Sequence, residues 1–133
     1  MTDELLTAMG EFGFNEALGM EFLEASGDRV VATVEIGPRH HQPYGITHGG
    51  VWCSAIETCA SVGGAMWYGS QGQVVGVSNH TDFLKAVRDG VVTATATPIH
   101  RGRLQQLWLV EIRTDDDRLV ARGQVRLQNL PAS

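Results

Sequence analysis

Two hydrophobic periods divide the chain. From Val51 to Tyr68 nearly every position is apolar or small, and only Glu57 carries a charge. An apolar run of that length without alternation predicts a long helix apolar on all sides, hence buried. Elsewhere apolar and polar residues alternate with the period of half-buried strands. In Arg29–Ile36, Val30, Ala32, Val34 and Ile36 alternate with Val31, Thr33 and Glu35, and Gly27-Asp28 predicts a hairpin to a strand near 20–25. After Gly69–Gly72 the pattern predicts strands at Val74–Leu84, Val91–Ile99, Leu104–Arg113 and Arg118–Leu127. Leu104–Arg113 is apolar on both faces around Trp108, as a central strand is. Asp89-Gly90 predicts a two-residue hairpin after Val74–Leu84. Residues 3–9 and 14–18 read as short amphipathic helical turns offering Leu5, Leu6, Met9 and Leu18, and Asp115–Asp117 as a solvated turn.

These elements predict one α+β domain over 1–133: an antiparallel sheet of five to six strands wrapped around one long central helix. Nothing else in the chain can cover that helix, so the sheet must curl around it. Its outer face would expose Leu107, Leu109 and Val120, which predicts association with further copies.

Composition narrows the function. With 133 residues, 43% hydrophobic and 19% charged, the chain has the make-up of a folded domain. A net charge of −5 argues against nucleic acid and anionic membrane as partners. The acidic Met-Thr-Asp-Glu start does not resemble a secretory leader, and the polar and small residues of 51–68 favour a core helix over a membrane span; the expected location is cytoplasmic. Cys53 and Cys59 lie on one predicted helix about 9 Å apart, too far for a disulfide. The histidines show no metal-ligand spacing, and no P-loop, dinucleotide fingerprint or serine-nucleophile elbow is present, so no metal or cofactor is expected.

The chemistry concentrates on the long helix. An ionised carboxylate within apolar surroundings must be paired, neutralised or in use, which makes Glu57 the first catalytic candidate. Gly49 and Gly50 begin the helix, where unpaired N–H groups and a partial positive charge suit an oxyanion and the lack of a Cβ allows close approach. Gln42 and His48 precede the glycines. Ser61, one turn after Glu57, shares its helix face. Glu57 stands eight residues beyond Gly49, about 12 Å along the axis. A nucleophile or base must come within about 3 Å of the reacting carbonyl, so one helix cannot supply both groups to one carbonyl. Shared service requires Glu57 from a second subunit. Lys85, Arg101 and Arg103 are candidate phosphate partners, and Trp52, Trp67 and Phe83 could line an aromatic pocket or simply fill the core.

The set Gln42, His48-Gly49-Gly50, Glu57, Ser61 resembles the active-site segment of hotdog-fold acyl-CoA thioesterases, in the branch of the Arthrobacter-type 4-hydroxybenzoyl-CoA and the 1,4-dihydroxy-2-naphthoyl-CoA thioesterases. The resemblance runs over about residues 15–128. It implies a hotdog fold, hydrolysis of an acyl- or aroyl-CoA thioester, and a dimer with shared sites that pairs into a tetramer. It implies Glu57 as nucleophile or general base, Gly49 N–H polarising the carbonyl, Gln42 and His48 orienting the thioester, and Ser61 positioning Glu57 or water. It extends to Gly76, to Phe83-Leu84-Lys85-Ala86, and to His100-Arg101-Gly102-Arg103 with Gln106 and Trp108 following, as a CoA channel beside Gly50. Phe83 departs from naphthoyl-type relatives, which have His there. The alternatives are a hotdog hydratase or dehydratase and a non-catalytic acyl-CoA-binding module.

Overall fold

The long apolar run folds as one helix, and the rest of the molecule is arranged on it. The computed structural model describes residues 1–133. Helices α1 (Asp3–Gly10) and α2 (Phe14–Leu18) precede the hairpin of β1 (Met20–Ala25) and β2 (Val30–Ile36); α3 (Gly49–Tyr68) follows, then β3 (Gly72–Phe83), β4 (Gly90–Arg101), β5 (Gln105–Thr114) and β6 (Leu119–Pro131). The six strands form one antiparallel sheet in the order β1-β2-β4-β5-β6-β3. No helix is long and apolar enough to cross a membrane.

The α3 helix lies close on the concave face. It buries Val51, Trp52, Ala55, Ile56, Cys59 and Ala60 against inward side chains of the central strands, among them Trp108, Val110, Val125 and Leu127. Close approach depends on Gly63 and Gly64: a Cβ at Gly63 would come within 2.6 Å of the Trp108 indole, and one at Gly64 would overlap Leu127. Gln106 and Trp108, expected to flank a channel, lie wholly in this core. Trp108 Nε1 donates to Gln106 Oε1 (2.8 Å), while Gln106 Nε2 donates to Asn129 Oδ1 (2.9 Å) and to the Gly64 carbonyl (3.2 Å). Strand polarity here serves core bonding, since a buried amide must find partners.

Three expectations change. First, the sheet does not cover α3 all round. Ser54, Glu57, Thr58 and Ser61 are half-buried and Ala65 and Met66 exposed, because an open six-stranded sheet leaves one helix flank uncovered. Second, Asp89-Gly90 is not a hairpin: β3 pairs with β6 and β4 with β2 and β5, so residues 84–89 cross from the β3 edge past β6 and β5 to an interior strand. Long-range pairing overrides the local turn signal. Third, Val120 is fully buried, not exposed. The β5–β6 register shifts so that Ile112 faces Ala121 and Arg113 faces Leu119, and the extra residue, Val120, turns into the core.

A second bulge matters more for function. In β3 the register against β6 shifts between Gly76 and Ser78. Before it, Gly76 sits opposite buried Leu127; after it, Asn79, Thr81 and Phe83 sit opposite Val125, Gly123 and Ala121, also buried. The inward row of β3 therefore reads Gly76, Asn79, Thr81, Phe83, changing parity at Val77. This strand is also the sheet's outermost on that side, twelve residues long and mostly exposed.

Candidate active site

The loop before α3 is built by its sequence. Gly45 N–H donates to the Gln42 carbonyl (3.0 Å) around Pro43, with Gly45 in the left-handed region at φ 78°. Gln42 N–H donates to the Ile46 carbonyl (2.8 Å), and His41 bridges to Thr47. The Gln42 side-chain carbonyl accepts from Tyr44 N–H, which leaves its NH₂ group to donate elsewhere. Residues 84–88 form the facing wall, tied on by Thr47 N–H and Oγ1 to the Val87 carbonyl (2.9 and 2.8 Å) and by Arg88 to the Gly45 carbonyl (3.2 Å).

His48 caps the helix. Its Nδ1 accepts from Gly50 N–H (2.7 Å), which places the ring proton of the neutral form on Nε2, and its carbonyl accepts from Val51 N–H (2.9 Å). The Gly49 N–H has no partner in the chain. A cavity of about 350 Å³ opens there, lined by Gln42, Thr47, Gly49 and Trp52 on one side and Phe83 to Ala86 on the other. The structure thus brings Gln42, Gly49, Phe83, Leu84, Lys85 and Ala86 together, with His48 and Gly50 beside them as the cap. Trp52 lines the cavity and is almost wholly buried.

Glu57 lies further along the same helix, half-buried rather than enclosed. Its Oε2 accepts from Ser61 Oγ (3.4 Å) and its Oε1 from Asn79 Nδ2 (3.2 Å). A Cβ at Gly76 would overlap the carboxylate, so glycine there makes the space for it. None of the ion pairs in the chain includes Glu57. Its two polar contacts thus come from one donor on its own helix and one on β3. The inward row of β3 connects the two stations: Gly76 and Asn79 meet Glu57, and Phe83 covers Gly49. Asn79 did not emerge from the sequence, because every residue from 78 to 82 is polar and the bulge that decides its face leaves no sequence mark.

The third group is more distant. His100, Gly102 and Arg103 line a shallow hollow with Gln105 and Arg126. Asn129 Nδ2 holds this turn through the Gly102 and Arg103 carbonyls (3.0 and 3.2 Å). Arg101 instead donates to the Gly27 carbonyl (2.6 Å) and to Asp28 Oδ1 (2.9 Å), with its guanidinium 5.6 Å from the Trp67 ring centroid. It clamps the β1–β2 hairpin. No cluster of three or more His, Cys, Asp or Glu side chains could hold a metal ion. Burial pushes the Cys59 thiol up to about 12, which makes it a core residue and not a nucleophile. In the acidic turn, the Thr114 hydroxyl, with Arg118 beside it, holds Asp116 below the usual carboxylate range.

An antiparallel sheet around one long helix is the hotdog fold of thioesterases. The comparisons agree. Residues 44–121 match the Thioesterase superfamily model. A Mycobacterium tuberculosis protein named as an esterase is 50% identical over 122 residues, 90% of this chain and 87% of its own; its solved structure superposes with a TM-score of 0.88. The Escherichia coli 1,4-dihydroxy-2-naphthoyl-CoA hydrolase is 32% identical over 125 residues, 94% of this chain and 92% of its own. A Haemophilus influenzae thioesterase structure, 34% identical, covers 98% of this chain and 92% of its own with a TM-score of 0.92. The chain belongs to the Thioesterase superfamily and is a thioester hydrolase.

Proposed function

We propose that the chain hydrolyses an acyl- or aroyl-CoA thioester to the free acid and CoA. The thioester carbonyl would rest on Gly49 N–H at the positive end of α3, with the Gln42 amide and the His48 ring orienting it. The observation that carries this reading is the division of labour at the helix start: His48 takes the Gly50 and Val51 donors, and the Gly49 donor is left facing a cavity. Phe83 and Trp52 would meet the acyl side, while Lys85, His100 and Arg103 would meet the CoA phosphates, with Gly102 shaping the turn that carries them. Arg101 contributes through the hairpin it clamps. The name of the Escherichia coli relative supports a CoA ester.

Glu57 of a second protomer would attack the carbonyl or activate water. The bare β3 edge supports the pairing, since a long unpaired edge is a template for another strand. Two copies joined antiparallel along β3 would set the Gly76–Asn79 end of one against the Phe83 end of the other. That reversal offers Glu57 of one chain to Gly49 of its partner, in a dimer able to pair into a tetramer.

Thiol release from benzoyl-CoA and octanoyl-CoA tests the activity. Mixing inactive Gln42→Ala and Glu57→Ala proteins tests the sharing: subunit exchange should restore part of the activity, because one composite site then carries both lesions and the other none. No recovery after demonstrated exchange would exclude shared sites.

A further inference from the structure

We infer that Asn79 is a positioning residue that sets the Glu57 carboxylate, and that Thr81 sets Asn79; the inference rests on Glu57 carrying the reaction as proposed above. The orientation of the Asn79 amide is determined by its surroundings. Its nitrogen lies 3.1 Å from the Cys53 carbonyl, which can only accept, and 3.2 Å from Glu57 Oε1. Its oxygen accepts from Thr81 Oγ1 at 2.7 Å. A flipped amide would set its oxygen against two acceptors, losing the bonds to the Cys53 carbonyl and to Glu57, while the Thr81 hydroxyl, which can donate or accept, would follow either orientation.

The chain Thr81–Asn79–Glu57 therefore runs one way. Both amide hydrogens are used, one anchoring the side chain to the helix backbone and one on the carboxylate. Ser61 reaches the other oxygen at 3.4 Å, a longer bond, so Asn79 supplies the shorter of the two donors on Glu57. The Val77 bulge makes this possible: without the parity change, Ser78 and His80 would take the inward places of Asn79 and Thr81. Gly123, opposite Thr81, is part of the arrangement, because a Cβ there would lie 2.7 Å from Thr81 Oγ1 and 2.9 Å from Ile56. Asn79 would not touch the substrate. Its effect should appear in the turnover step and not in substrate binding.

The test is steady-state kinetics with benzoyl-CoA and octanoyl-CoA on Asn79→Ala, Asn79→Asp, Thr81→Val, the double variant Asn79→Ala/Thr81→Val, and Glu57→Gln as reference, with unfolding midpoints beside them. Losing a hydrogen bond to a charged group predicts that Asn79→Ala lowers kcat about 10- to 100-fold with KM within about twofold. Asn79→Asp keeps the shape but sets an acceptor against the carboxylate, so its kcat should fall at least as far. Thr81→Val should lower kcat several-fold in the native background and have no further effect once Asn79 is alanine, because Thr81 acts through it. If both Asn79 variants keep kcat within about threefold while Glu57→Gln is inactive, the positioning role is overturned and the Glu57 reading stands. Full additivity of the double variant, or a change confined to KM, would also overturn it. A Glu57→Gln protein as active as the native one, or no turnover of either thioester by the native protein, would remove the reading beneath it.

Discussion

The ring of Phe83 lies directly against the Cα of Gly49, so that a Cβ on Gly49 would come within 2.5 Å of it. A strand end thereby roofs the first residue of the long helix, over the donor that has no partner in the chain. Gly49→Ala should push the ring aside. Because Phe83 is 56% exposed, the fold should tolerate this, with an unfolding midpoint close to native. The cavity should not: a displaced ring and a methyl group beside the free donor predict a kcat/KM lower by about 5- to 100-fold, a loss of about 1–3 kcal/mol of transition-state stabilisation. Kinetics and thermal unfolding on the same preparation check both halves.

Gly76→Ala asks the same question of the carboxylate. The new methyl group would occupy the space of Glu57 Oε2, the end of a flexible side chain, so Glu57 should swing out and the strand remain. Activity should fall about tenfold or more. A midpoint loss that accounts for all of the lost activity would contradict this.

Gly63→Ala should behave in the opposite way. The added methyl meets the fully buried Trp108 indole, which has no room to retreat. Destabilisation of about 1–3 kcal/mol is expected, seen as a midpoint lowered by roughly 4–11 °C. The kcat of the fraction still folded should be nearly native.

The two cysteines should separate by reactivity and by pH. Half-buried Cys53 should be labelled by a thiol reagent in the native protein, and Cys59 only after unfolding. Burial raises the Cys59 thiol from 9.0 to about 12, so the native state keeps this proton when the unfolded chain has lost it. The corresponding stability is fully present below about pH 9 and is lost as pH rises toward about 12. The stability gap between native protein and Cys59→Ala should therefore narrow over that window, as urea midpoints at pH 8 and pH 10.5 would show.

The elements were legible in the sequence to the extent that their signals were local. The apolar run gave α3 almost to its ends, and Val92, Ala94 and Ala96 lie inward in β4 as their alternation requires. Gly49, Gln42 and the Phe83–Ala86 wall meet at one cavity, as the turn chemistry and the resemblance together suggested. What the sequence did not carry was pairing at a distance. Asp89-Gly90 has the composition of a hairpin, yet β6 offers β3 eleven partners at the far side of the sheet, from Phe83↔Ala121 to Gly72↔Pro131. The exposure of Glu57 was equally illegible, since it depends on how far the sheet wraps. Val120 and Asn79 were misread or missed for one shared reason: a bulge inverts the parity of everything after it, and alternation alone cannot show where parity inverts.

That property gives Val77 an importance out of proportion to its own contacts. Strand β3 encodes two rows, and the one supernumerary residue chooses between them. Were it to pair regularly instead of bulging, Asn79, Thr81 and Phe83 would turn to the solvent and Ser78, His80 and Asp82 would come beneath the helix; deleting it would close the bulge and keep the present lining. The lining of this helix flank is thus set by counting as much as by chemistry: the strand carries one residue more than its ladder uses, and the place where that residue is shed decides which row faces inward.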